Sequence, residues 1–169
     1  MHENRILIHR LKNFENINSN FLIIILMLFG SILLAISAKV QVPFWPVPMT
    51  MQTFVIFLIG MTYSVRLSFA TVAFYLFQGA IGLPVFAAGG GVAYLVGPTA
   101  GYLYGMLFAS IVISYLANLG FSKTYFKATV SLLIGSAIIF SFGIIYLGYI
   151  IGFEKAVAAG LLPLSLIHI

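Results

Sequence analysis

Residues 1–20 are the polar part of the chain, with Arg5, Arg10 and Lys12 set against Glu3 and Glu15 and Asn and Ser up to Asn20. From Phe21 to Ala38 the chain is uncharged. As a helix that run is about 27 Å long at 1.5 Å per residue, close to the thickness of a bilayer's hydrocarbon core. Ala35-Ile36-Ser37 has the small residues of a signal-peptide cleavage site. The run is nevertheless long for such a peptide, its leader is mixed in charge, and more apolar segments follow, so it is read as a first span. Val40–Pro48 carries Pro43, Pro46 and Pro48 around Phe44 and Trp45 and predicts a loop at the membrane interface. A second span is predicted over Met49–Tyr63 and a third over Leu67–Ile81, ended by Gly82-Leu83-Pro84. Val85–Gly97 is apolar but broken by Gly89-Gly90-Gly91. Pro98-Thr99 opens a fourth span to Leu119, and Ala128–Phe153 forms a fifth.

Composition decides the solvent. Of 169 residues, 62 % are hydrophobic and only 7 % charged, and the mean hydropathy is +1.15. A soluble domain carries about 25 % charged residues, so a soluble fold and a disordered chain are both excluded. The formal net charge of +5 comes from scattered residues, which argues against nucleic acid as a partner. The basic residues instead set orientation. Arg5, Arg10, Lys12, Arg66, Lys123 and Lys127 fall on one side of the five predicted spans, with Lys39 and Lys155 on the other. The positive-inside rule then places the N-terminus in the cytoplasm of a cell whose plasma membrane holds the chain. The loops at 40–48 and 85–97 and the turn near Glu154 emerge outside.

Chemistry for catalysis is missing. The acids are Glu3, Glu15 and Glu154, the histidines are His2, His9 and His168, and cysteine is absent. None of these residues lies within a predicted span, and no metal-binding or nucleophile–base set can be assembled from them. The chain is expected to be neither an enzyme nor a metal or cofactor protein. It also lacks an intramembrane ionisable residue for ion coupling and a Gly-rich loop followed by Lys for nucleotide. A chain that moves a solute uphill must then draw its energy from another subunit. The Gly-rich stretch has two readings. It either punctuates a loop or leaves free backbone groups at membrane depth for a polar ligand. Trp45, Tyr94 and Tyr102 add amphipathic walls on the same side, and Thr50 and Gln52 add polar atoms. Thr50 could equally cap its helix, and Gln52 could bond a neighbouring one.

Pro46-Val47-Pro48-Met49-Thr50-Met51-Gln52-Thr53, Gln78-Gly79-Ala80-Ile81-Gly82-Leu83-Pro84-Val85-Phe86-Ala87, Gly89-Gly90-Gly91 and Gly97-Pro98-Thr99-Ala100-Gly101-Tyr102 follow in this order. Together they resemble the BioY family, the biotin-capturing S components of energy-coupling-factor (ECF) transporters, over residues 25–163. The resemblance implies an all-α, polytopic bundle of six helices, of which five are present here. It implies capture of biotin at the external face and association with an ECF transmembrane coupling subunit and two cytoplasmic ATPase subunits. By position, Trp45, Thr50, Gln52, Phe86, Gly89, Gly90, Tyr94 and Tyr102 are the expected ligand-binding residues. Aromatic groups would hold the thiophane ring and valeryl chain, and polar groups and free backbone the ureido group. Ser31 and Ala35, at i and i+4 on the first helix, are the expected contacts to the coupling subunit. Ala100 replaces a glycine usual in the family.

After Pro163 the family continues into a segment bearing an Asp and a Lys and then a sixth helix, where this chain reads Leu164-Ser165-Leu166-Ile167-His168-Ile169. Those six residues match the translation of a sequencing adaptor. The expected organisation is therefore a cytoplasmic segment 1–20, an incomplete transmembrane domain 21–163 and a non-native tail 164–169. Loss of the Asp and Lys would weaken biotin binding. The alternatives are an S component for another vitamin and a purely structural membrane protein.

Overall fold

The computed structural model describes residues 19–43 and 47–160. Trp45, the segment 1–18 and the tail 164–169 lie outside the described residues. Helix α1 (Ser19–Lys39) leads into a short antiparallel hairpin of β1 (Gln41–Val42) and β2 (Met49–Thr50), in which Gln41 pairs with Thr50. Helices α2 (Gln52–Thr62) and α3 (Val65–Ala80) follow, then a single helical turn α4 (Val92–Leu95). Helix α5 (Ala100–Asn118), a 3-10 turn at Phe121–Lys123, α6 (Tyr125–Ile151) and α7 (Phe153–Gly160) complete the described chain.

The apolar runs became helices, as expected, but their lengths differ. Helices α1, α5 and α6 are long and apolar enough to cross a membrane. The second span was predicted from Met49, whereas α2 begins at Gln52. Met49 and Thr50 are held in the hairpin ladder, and Met51 donates its N–H to the Val40 carbonyl at 3.1 Å. What remains of α2 is about 16 Å long, too short to cross the core by itself. The fifth predicted span breaks at Gly152 (φ 90°), a backbone angle that side-chain-bearing residues rarely adopt, and α7 starts beyond it.

Small residues set the helix spacings. Helices α5 and α6 share the most extensive contact in the fold. At Gly101 a Cβ would come within 2.6 Å of the Phe142 carbonyl oxygen, and at Gly105 within 2.9 Å of the Ile139 Cα. Gly143 has no room for a side chain because the Tyr102 ring lies against it. Gly60 of α2 likewise seats Ile113 of α5, and Gly30 of α1 seats Thr71 of α3. Such close approach is how helices associate in lipid, where dispersion contacts and buried hydrogen bonds replace the hydrophobic effect. Outward faces are apolar: Ile25, Phe29, Ile32 and Ile36 of α1 are all exposed.

Ser31 is turned inward. It is buried and donates a hydrogen bond to Gln78 Oε1 of α3. It therefore presents no surface to a second chain, which departs from the contact expected of it. Ala35, one turn on, is half-buried against the core.

Candidate functional site

Three helices line a partly open cavity of about 240 Å³ beside the hairpin. Thr53, Phe54 and Phe57 reach it from α2, Tyr102 and Met106 from α5, and Ile139 and Phe140 from α6. Thr50 of β2 closes one side. Thr53 and Phe57, Phe54 and Phe57, and Tyr102 and Met106 are three or four apart, the spacing that puts side chains on one face, and Ile139 and Phe140 are adjacent on α6. A smaller space of about 30 Å³ adjoins it, lined by Gln52, Ala87, Tyr94 and Thr99. Thr50, Tyr102 and Met106 line both, so the two spaces share a wall. The larger is mostly apolar, with hydroxyls from Thr50, Thr53 and Tyr102, and the smaller adds the Gln52 amide and the Tyr94 and Thr99 hydroxyls. That combination suits a ligand with an apolar body and one compact polar head.

Four of the expected binding residues converge here: Thr50, Gln52, Tyr94 and Tyr102. Their bonding is informative. Thr50 Oγ1 donates to Gln52 Oε1 at 3.2 Å, Gln52 Nε2 donates to Tyr75 Oη at 2.7 Å, and Tyr75 Oη donates to the Val85 carbonyl at 3.0 Å. Thr50 is thus no helix cap; Met51 occupies that position without a side-chain bond. Gln52 does bond a neighbouring helix, and it also borders the smaller space. A relay of hydroxyl and amide groups runs from the cavity wall to the backbone of the next loop.

Phe86, Gly89 and Gly90 line neither space. The Phe86 ring is fully buried on Gly79, where any side chain would occupy the ring's position. It meets Tyr75 edge-on (centroids 5.5 Å, 82°) and stacks on Tyr94 (4.9 Å, 20°). Gly89 adopts φ 133° and exchanges backbone hydrogen bonds with Phe86, while the N–H of Gly91 (φ 104°) donates to the Gly79 carbonyl at 2.7 Å. Gly90 packs against the Leu83 carbonyl with no space for a Cβ. The Gly-rich stretch is therefore a tight turn whose Gly89 and Gly91 amides are bonded within the chain. This corrects the expectation that they stand free for a ureido group.

Thr53, Phe57, Met106, Ile139 and Phe140 were not singled out in the sequence. Thr53 lies inside the Pro46–Thr53 motif, and Met106 stands one helical turn after Tyr102, so spacing could have found both. Nothing local marks Ile139 or Phe140. They belong to a long apolar helix, and the partner that selects their face is distant in sequence.

The fold and site define a polytopic helical membrane protein with a small, mostly apolar and partly open cavity between its helices. A model of the BioY family matches residues 11–169, and the chain belongs to that family. Among similar proteins, the "Probable biotin transporter BioY" of Rickettsia prowazekii (strain Madrid E) is 34 % identical over 154 residues, covering 90 % of this chain and 79 % of that one. The "Biotin transporter BioY" of Thermotoga maritima (strain ATCC 43589 / DSM 3109 / JCM 10099 / NBRC 100826 / MSB8) is 38 % identical over 133 residues, 78 % of each chain. The crystal structure of the S-component for biotin from an ECF-type ABC transporter superposes with a TM-score of 0.70 at 21 % identity. It covers 90 % of this chain and 92 % of that one, and so shares the fold.

Proposed function

We propose that the chain is a substrate-capturing transport subunit that takes biotin into the cavity between α2, α5 and α6. The observation that carries this reading is the cavity itself: a mostly apolar pocket bordered by the hydroxyls and amide of Thr50, Gln52, Tyr94 and Tyr102, in a chain whose relatives bear the name of biotin transporters. Phe57, Met106 and Ile139 suit the ring sulfur and valeryl methylenes, and Thr50, Gln52 and Tyr102 suit the polar groups. Transport rather than catalysis follows from the family. The drive comes from an ECF coupling subunit and two ATPase subunits, since no nucleotide loop is present in the sequence.

The cavity faces outward in this reading. Arg66 and Lys127 lie in the first turns of α3 and α6 and Lys123 in the 3-10 turn before α6, at the end away from the hairpin, while Lys39 and Lys155 lie at the hairpin end. The positive-inside rule then puts the N-terminus in the cytoplasm of the plasma membrane. All five apolar helices belong to the membrane domain, the shorter α2 packed against α5. With Ser31 engaged by Gln78, Ala35 is the small residue of the pair left to meet the coupling subunit.

Uptake in cells that can neither make nor import biotin tests the proposal. Coexpressed with an ECF module, the chain should concentrate labelled biotin, and inactivating both ATPases should remove that concentration. Accumulation no higher than in cells lacking the chain would refute capture, and concentration that survives dead ATPases would refute the coupling.

A further inference from the structure

Three successive carbonyls of the Gly-rich turn are each held by a side chain from a different element. Tyr75 of α3 donates to Val85 at 3.0 Å, the Lys39 ammonium at the end of α1 donates to Phe86 at 2.7 Å, and Gln41 Nε2 of β1 donates to Ala87 at 3.1 Å. Two of these elements also touch the cavity wall. Gln41 pairs in register with Thr50, and Tyr75 receives the relay from Thr50 through Gln52. On the far side of the turn, Phe86 stacks on Tyr94 and Ala87 itself borders the smaller space.

We infer that Lys39 is a positioning residue for ligand capture: it straps the 82–91 turn to the end of α1 and so holds Ala87 and Tyr94 as a wall of the cavity. This rests on the biotin-capture reading for its functional half only. Lys39 is the one charged member of the three, and its side chain is exposed, so its bond can break without opening the core. A hydrogen bond from a charged donor is roughly twice as strong as a neutral one, and a carbonyl is the acceptor here. Lys39 also sits in the last turn of α1, where a cation is favourable for the helix dipole alone. That simpler role predicts a change in stability with the turn undisturbed, which separates the two.

The chain contains no cysteine, so Ala87→Cys supplies a single thiol at a position only 7 % exposed. Its rate of reaction with a maleimide reports how often the turn lifts. With Lys39→Met the rate should rise about tenfold, the factor one charge-assisted hydrogen bond contributes. Lys39→Arg should restore the slow rate, whereas a dipole role alone would leave the labelling rate unchanged in Lys39→Met. Amide hydrogen exchange over residues 82–91 gives the same comparison without the cysteine. In chains retaining Ala87, Lys39→Met should weaken biotin binding about tenfold, and Lys39→Arg should not. Equal labelling and exchange with Lys or Met at position 39 would overturn the strap. Faster labelling with unchanged biotin affinity would overturn its role in capture. A parent chain without biotin affinity would refute the capture reading, while labelling and exchange still decide the strap.

Discussion

Met106→Trp is expected to abolish biotin binding while leaving the bundle folded. Met106 is buried, lies one helical turn from Tyr102 and borders both spaces, so a larger ring there fills the chamber from its middle. Overpacking a filled core costs about 1–3 kcal/mol, but here about 240 Å³ of space is available to receive the indole. Affinity for labelled biotin should fall at least about a hundredfold, about 2.7 kcal/mol, with little change in the thermal midpoint of the unliganded protein. Met106→Ala is the counterpart. It enlarges the chamber and should lower stability by about 2–3 kcal/mol while binding persists. Normal affinity in the Trp variant would move the site elsewhere.

The second large effect is on the fold. At Gly101→Leu the new side chain would enter the α5–α6 interface within 2.6 Å of the Phe142 carbonyl oxygen, a backbone atom that no rotamer change can move. The helices must separate, and separation also disturbs the neighbouring contacts at Gly105 and between Tyr102 and Gly143. A loss of more than about 3 kcal/mol follows, at or beyond the upper end of ordinary overpacking. It should be visible as a collapse in the yield of monodisperse protein and a lowered thermal midpoint. Gly97→Ala is the control. The nearest atom to its Cβ would be the Ala93 carbonyl oxygen at 3.4 Å, so stability should hardly change.

These glycines show what was legible in the chain and what was not. Length and hydropathy of the runs beginning at Phe21, Pro98 and Ala128 were enough to mark α1, α5 and α6, because lipid demands long, uncharged, internally hydrogen-bonded segments. The class of protein and the family could be read from composition and motif order. The hairpin could not: three prolines between Val40 and Met49 speak for a loop, and a two-residue ladder has too little periodicity to announce itself. Nor could the roles of Phe86 and Gly90. Both stand in the motif that identifies the family, yet whether an aromatic ring faces a ligand or a glycine on the preceding helix depends on Gly79, and only the folded arrangement brings the two together. Thr50, Gln52, Tyr94 and Tyr102 were named from residue type and position, and the folded chain brings them to the walls of the two adjoining spaces. Their link through Tyr75 to the Val85 carbonyl was hidden, because Tyr75 looks like any other aromatic in an apolar helix.

The claim beneath all of this is that the chamber between α2, α5 and α6 is built for biotin. A thermal titration of the purified chain tests it most directly, since a ligand that binds only the folded state stabilises it by mass action. At a biotin concentration about a hundred times Kd, the midpoint should rise by about 5 °C or more, with thiamine and riboflavin without effect at the same concentration. A folded chain whose midpoint stays fixed through the whole biotin range, or moves with thiamine or riboflavin instead, would contradict the account.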